Sequence, residues 1–242
     1  TLAFDVINKL CVGAGLTGLV TASALEKRGY NVTLIDQNAH RHGAVTDIHQ
    51  IAIYPQLSQT PQPYSKLYLR AFEYFKNHQD FNQCGRMELL DNKEKLHKAE
   101  MLNAQLSGLV ELRSAAEASQ ILGLKVEHPG LFTQSAGWLA PQQISPHRRV
   151  CNDQMLSLTP YANGWELELQ HERLQAECVI LATGPENVAS LAPLKLMALR
   201  GQSMRITGDI APGCVFSHRK TWFPNTAGTS TVSGTYSRFD SD

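Results

Sequence analysis

The chain has 242 residues, 43% of them hydrophobic, enough to bury a sizeable core as one large domain or two smaller ones. Its 22 basic and 22 acidic residues balance, so no global field draws it to nucleic acid or to an anionic membrane, and only a local patch can do so. No apolar run approaches the roughly 18 residues of a membrane helix, no signal peptide is expected ahead of the first buried strand, and five scattered cysteines (Cys11, Cys84, Cys151, Cys178, Cys214) read as reduced core thiols of a cytoplasmic protein.

The first predicted strand ends at Leu10-Cys11-Val12. Gly13, Gly15 and Gly18 follow at the spacing G-x-G-x-x-G. In such a loop the first glycine permits a tight turn, the second lets a pyrophosphate approach the backbone, and the third lets helix and strand pack closely. Gly13, Ala14, Gly15, Leu16, Thr17 and Gly18 are therefore the candidate phosphate cradle. A helix is predicted from Leu16 to Arg28, stopped by Gly29, with its electropositive N-terminus at the phosphate. The strand in "NVTLID" then delivers Asp36, 21 residues after Gly15, with Gln37 beside it. A carboxylate there can accept both hydroxyls of an adenosine ribose. It argues against a phosphorylated ribose, hence against NADP, and leaves NAD and FAD open.

Residues 37–63 carry Pro55, Pro61 and Pro63 without a clear period and read as a long functional loop. "YSKLYLRAFEYFKNH" (64–78) predicts a helix with Leu67, Ala71, Tyr74 and Phe75 as its core stripe. "CGRMELLDN" (84–92) predicts a strand, "KEKLHKAEMLNAQ" (93–105) a charged helix, and "SAAEASQILG" (114–123) a short capped helix ending at Gly123. "HPGLFTQSAGWLAP" (128–141) reads as strands around a turn. Asn163-Gly164 is a hairpin signal between two strands. The hairpin leads to "ECVILATG", a buried strand closing on Ala182, Thr183 and Gly184. "LRGQSMRI" (199–206), "GCVFSHRKTWF" and "STVSGTYSRF" read as further strands. A hairpin followed by an Ala-Thr-Gly strand end tips the cofactor from NAD to FAD. No His or Cys spacing fits a metal, so none is expected.

"VGAGLTGLVTASALEKRGYNVTLID", "VILATG" and "LRGQSMRI" resemble the D-amino-acid-oxidase-like family of FAD-dependent amine oxidoreductases. Within it, "IAIYPQLS" (51–58), "PGLFTQSAGWLAP" (129–141), "RGQSMRIT" (200–207) and "SGTYSR" are similar to the flavin domains that modify the wobble uridine of tRNA as one part of a bifunctional enzyme. The resemblance implies an α/β fold with an α+β second unit. A discontinuous FAD-binding Rossmann-like domain (1–79 and 140–195) would interleave with an antiparallel-sheet substrate domain (80–139 and 196–242). It further implies FAD as cofactor, with Gly43 and Ala44 near the flavin and Thr183 and Gly184 touching FAD from the returning strand. The implied substrate is a carboxymethylaminomethyl uridine in tRNA. Oxidation next to the amine and hydrolysis of the imine would release glyoxylate, and a methyltransferase domain of the same polypeptide would act next.

A glycine-like carboxylate needs a cationic or hydroxyl partner, and Tyr54, Arg200 and Tyr236 are the candidate catalytic residues. Each also has a plain packing or ion-pair reading, as does Trp138, which would either cover the site or fill the second core. Basic clusters for tRNA are 40–42, 147–149 and 218–220. Several features depart from the family. Val45 stands where the relatives usually have Ser. Asn152, Asp153 and Gln154 replace a helix and a parallel strand. The chain is expected to be cut short at Asp242, and the methyltransferase domain is absent from it. Two other readings follow: an oxidase or dehydrogenase of free glycine or D-amino acids, and a degenerate fragment that acts by binding alone.

Overall fold

The computed structural model describes residues 7–38, 48–58, 64–144, 150–184 and 199–238. The chain forms two compact units, one from residues 1–48 and 141–198, the other from 49–140 and 199–242. The first unit opens with β1 (Ile7–Val12), α1 (Leu16–Glu26) and β2 (Val32–Ile35). The second contains β3 (Ile51–Ile53), α2 (Ser65–Lys76), β4 (Asn82–Gln83), β5 (Arg86–Leu89), α3 (Lys93–Gln105), β6 (Glu111–Arg113), α4 (Ala115–Leu122), β7 (Gly130–Thr133) and β8 (Gly137–Leu139). The chain returns to the first unit with β9 (Val150–Cys151), β10 (Met155–Tyr161), β11 (Gly164–Leu169) and β12 (Arg173–Leu181). It ends in the second with β13 (Leu199–Thr207), β14 (Val215–His218), β15 (Lys220–Trp222) and β16 (Thr229–Arg238).

The sheet of the first unit has the order β10-β11-β12-β1-β2-β9. β12, β1, β2 and β9 run parallel; β10, β11 and the start of β12 form an antiparallel meander. Alternation along β1 and β2 sorts their side chains onto two faces. Leu10, Val12 and Ile35 pack with Leu167, Leu169 and Ala176 of the meander. Cys11 and Leu34 pack with Ala22 and Leu19 of α1. The meander thus lies over one face of the parallel sheet while α1 covers the other. This explains how Asn152, Asp153 and Gln154 alone can lead from β9 to β10: the chain folds straight back over the sheet and needs no crossover helix at that point.

The hairpin sits one residue earlier than "Asn163-Gly164" predicts. Tyr161 pairs with Gly164, so the turn residues are Ala162 and Asn163, and Ala162 takes φ 47. Gly164 belongs to the strand for a steric reason. A Cβ there would lie 2.4 Å from the carbonyl oxygen of Ala176 on β12.

The second unit holds a seven-stranded sheet, β13-β16-β15-β14-β5-β7-β6, and a small sheet, β3-β8-β4. In this two-unit division the second unit begins at His49. β3 pairs with β8, and the Gln50 side chain donates to the carbonyl of Pro224 at 3.1 Å. The strands of 128–141 fall in different sheets, so the turn between them is a crossing and not a hairpin. α4 has the caps its sequence announces. Ser114 and Glu117 form a reciprocal capping box, and Gly123 ends the helix at φ 67.

The stripe predicted for α2 is met in part: Ala71 and Phe75 are half-buried beside Phe72, while Leu67 and Tyr74 are not. Phe72 is 4% exposed, whereas Leu67 is 67% exposed and Tyr74 is also exposed. Within its unit α2 packs on β3, a strand of three residues, which covers one narrow side of the helix. Trp138 is core: it packs with Val215 and Phe223.

Candidate cofactor site

β1 ends against the glycine turn, which leaves no space for a side chain at Gly13 or Gly18. Gly13 has φ +104, and a Cβ there would meet the Ala182 carbonyl oxygen at 2.2 Å. A Cβ on Gly18 would lie 1.8 Å from the Gly13 carbonyl oxygen. Two backbone bonds fix the turn between strands, Gly13 N–H to Ile35 O at 2.7 Å and Ala182 N–H to Val12 O at 2.7 Å. Cys11 packs beneath it. Burial pushes its thiol up to about 11, so it is a neutral packing group.

Gly15 is the N-cap of α1, with extended backbone and no side-chain cap, and the first turn carries no acidic residue. Ala14, Leu16, Thr17 and Gly18 follow the bend into that turn. A helix start without its own carboxylate, reached by backbone alone, has the chemistry of an anion cradle.

Asp36 faces this cradle. Its Oδ2 accepts the Ala14 N–H at 2.7 Å and its Oδ1 accepts the Asn38 N–H at 2.7 Å. A carboxylate has about four acceptor positions, and these bonds use one on each oxygen. The Asp36 N–H donates to Cys151 O at 3.0 Å. Asn152, with its amide oriented to satisfy both atoms, donates to the carbonyls of Asp36 and Gln37 at 3.2 Å each. The three-residue junction is therefore wired to the candidate ribose acid.

Gln37 and Asn38 open onto a polar depression of about 460 Å³, whose other walls are 152–154 and Gln170-His171. Asp153 forms part of its floor. Burial pushes its carboxyl up, but the N–H groups of Gln154 and His171 and the His171 ring outweigh this and hold it below the usual range.

Thr183 and Gly184 leave β12 beside the turn, the Thr183 nitrogen lying 3.1 Å from the Cβ position of Gly13. The structure thus brings together Gly13, Ala14, Gly15, Gly18, Asp36, Gln37 and Thr183. Gly43 and Ala44 lie outside the described residues. Asn152 was not legible as a site residue, because nothing in "VCNDQM" shows that it folds back onto β2.

The candidate catalytic residues lie in the second unit. Tyr54 follows β3, and its ring carries the Arg86 guanidinium at 4.1 Å. Arg86 also pairs with Glu88 at 2.9 Å and donates from Nε to Ser217 Oγ at 3.2 Å. Alternation in "RMEL" (86–89) is the signal that marks Arg86 and Glu88 as one face of β5, opposite the core residues Met87 and Leu89. On the β13–β16 ladder, Arg200 is opposite Ser237 and Gly201 is opposite Tyr236. The positions of Arg200 and Tyr236 therefore fall on adjacent rungs.

Among the described residues no cluster of His, Cys, Asp or Glu could hold a metal, and no helix is long and apolar enough to cross a membrane.

A glycine turn built for close approach, an uncharged helix start and an acid closing β2 define a dinucleotide-binding unit, and the comparisons specify its class. The chain matches the FAD dependent oxidoreductase family over residues 10–242. It belongs to that family, and FAD is the family's cofactor. Among curated proteins it is similar to the tRNA 5-methylaminomethyl-2-thiouridine biosynthesis bifunctional protein MnmC of Pseudomonas putida, 27% identical over 84% of this chain and 34% of that protein. The protein of the same name from Ectopseudomonas mendocina is 28% identical over 86% of this chain and 35% of its own length. The chain thus spans about a third of the curated relatives it matches. Among solved structures, glycine oxidase from Geobacillus kaustophilus superposes with a TM-score of 0.77 at 14% identity, covering 97% of this chain and 72% of that one. Iminodiacetate oxidase from Chelativorans gives 0.70 at 19% identity, covering 96% and 73%. These two likenesses show the fold.

Proposed function

We propose that the chain is the flavin oxidoreductase part of a tRNA-modifying enzyme. It would oxidise a carboxymethylaminomethyl group on the wobble uridine to aminomethyl and release glyoxylate. The observation that carries this reading is the sequence match, over more than four-fifths of the chain, to relatives named for tRNA 5-methylaminomethyl-2-thiouridine biosynthesis. In this reading the next step belongs to a methyltransferase domain of the same polypeptide, and the location is the cytoplasm, where tRNA is found.

The Gly13–Gly18 cradle and the start of α1 would hold the pyrophosphate, and Asp36 the adenosine ribose, with Asn152 keeping the acid in place. When bound, FAD supplies a two-electron acceptor for the C–H bond next to the substrate amine. Water then splits the resulting C=N bond into the aminomethyl group and glyoxylate. The protein's share is positioning, with no acid–base triad required. In the second unit, the Arg86 guanidinium seated on the Tyr54 ring would be a partner for the glycine-like carboxylate. Arg200 and Tyr236 would be the other candidate partners.

The test is the purified chain with added FAD. Its flavin absorbance is recorded first, and the oxo-acid product is then measured: glyoxylate with hypomodified tRNA and, separately, glyoxylate with free glycine or pyruvate with D-alanine. Glyoxylate from tRNA is the expected result. Turnover of the free amino acids alone would instead make the chain an amino-acid oxidase or dehydrogenase. A chain that takes up no FAD would be a binding fragment.

A further inference from the structure

We infer that the β14–β15 turn and the start of α3 form a docking surface for the phosphate backbone of RNA. This rests on the tRNA reading above. Of the three basic clusters in the sequence, 40–42 and 147–149 lie outside the described residues, whereas His218-Arg219-Lys220 is placed. His218 and Lys220 pair across the ladder, leaving Arg219 alone at the tip with φ 56. Glycine or asparagine would make such a turn at less cost. The side chain of Arg219 is 81% exposed. An arginine kept at a strained, solvent-facing tip is better explained by what it meets than by the turn it makes.

The fold brings further groups to this tip from two other segments. Asp91, just ahead of α3, accepts from Lys95 Nζ at 2.7 Å, lies 3.2 Å from His218 Nε2, and is 3.9 Å from Arg219 Nε. His128, from the loop before β7, sets its ring 6.5 Å from that of His218. The Asp91 side chain is 15% exposed, and the bond from Lys95, ahead of that from His218, holds its carboxyl down at about 2. It is therefore a fixed anion that orients its neighbours. With Glu94 in the first turn of α3 it is outnumbered by the permanent cations Lys93, Lys95, Arg219 and Lys220, the last of which also donates to the Gly234 carbonyl at 3.3 Å. In a chain of zero net charge this is a local positive edge. Its point charges suit phosphate oxygens, and two imidazole faces beside them suit an unstacked base. An anionic membrane would use the charges and have no use for the paired rings, so RNA is the partner these groups fit.

The experiment uses the full chain with FAD and fluorescently labelled hypomodified tRNA, with binding read by anisotropy across a salt series. The double variant Arg219→Glu/Lys220→Glu is expected to bind about tenfold or more weakly and to lower the salt slope by about two. The same two-charge reversal at Lys27 and Arg28 of the first unit should leave binding unchanged, and Arg219→Lys should retain most of it. Flavin content and thermal unfolding check that the double variant is folded. Wild-type affinity in the folded double variant would overturn the docking surface while leaving the tRNA reading intact. Failure of the wild-type chain to bind tRNA, with turnover of free glycine, would sink both. Loss of binding to phosphatidylserine vesicles with tRNA binding unchanged would reassign the patch to a membrane and overturn the proposal.

Discussion

At Gly13 and Gly18 of the glycine turn a side chain has nowhere to go, whereas along β13 every residue from Gly201 to Thr207 is exposed. Both regions are marked by their sequences, the first by G-x-G-x-x-G and Asp36, the second by Arg200 and, across the ladder, Tyr236. In the first, the constraint at Gly18 is local, because the Gly13 carbonyl oxygen stands where its Cβ would be, while at Gly13 the Ala182 carbonyl of β12 adds a second, distant one. In the second, role depends on which rung and which face a residue occupies. That is set by pairing with β16, about thirty residues away along the chain, and by a shift of register between Gln202 and Ser203. A motif whose meaning is steric and short-range can be read from a string; one whose meaning is register cannot.

The sharpest way to break this contrast is Gly18→Ala. A carbonyl oxygen 1.8 Å from the new Cβ cannot be accommodated without moving α1 off β1, and we expect a loss of roughly 3 kcal/mol or more together with loss of FAD. The checks are chemical denaturation and flavin absorbance. Ser203→Ala, on exposed β13, should stay within about 0.5 kcal/mol of wild type. If the two variants behave alike, the contrast fails.

Next is alkaline stability. Burial raises the thiol of Cys11 from 9.0 to about 11 and leads the causes that raise Cys214 to about 12. A thiol kept neutral in the native state binds its proton more tightly there than in the unfolded chain. Its contribution is whole below pH 9 and is lost as pH rises through the folded value, roughly 3 kcal/mol for Cys11. Urea unfolding from pH 8 to 11 should show the decline, and Cys11→Ala should remove its own share of it and leave that of Cys214.

Asn152→Leu removes two amide bonds to the backbone of Asp36 and Gln37. At about 1 kcal/mol each, FAD should bind about tenfold or more weakly, as measured by flavin titration, while the chain stays folded. Unchanged affinity would mean that Asp36 needs no such support. The smallest effect is a gain: Ala162→Gly should stabilise by about 1 kcal/mol, because Ala162 sits at φ 47.

Much of the fold can be read from local chemistry. Ser114, Glu117 and Gly123 bound α4 because capping involves only neighbours in the chain, and the apolar runs of β1 and β12 announce a parallel sheet covered on both sides. The errors are long-range. Leu67 and Tyr74 have helical period, but period says that two faces differ and not what covers either. Gly164 looks like a turn glycine because a close approach of β12 leaves no mark beside it in the sequence. The partition at residue 49 is long-range too, because β3 finds β8 some 85 residues on. At the candidate site the cradle and its acid are legible; Asn152 and Arg86 acquire their neighbours only through folding.

The three-residue link after β9 has a mechanical consequence. The same short stretch that turns the meander back over the sheet also grips the acid closing β2, so there is no slack between the two. Warming that frays this flap will tug on the adenosine end of the cofactor at once. Flavin release and melting of the flap should therefore share one temperature, and the yellow colour of the protein would then serve as a thermometer for that flap.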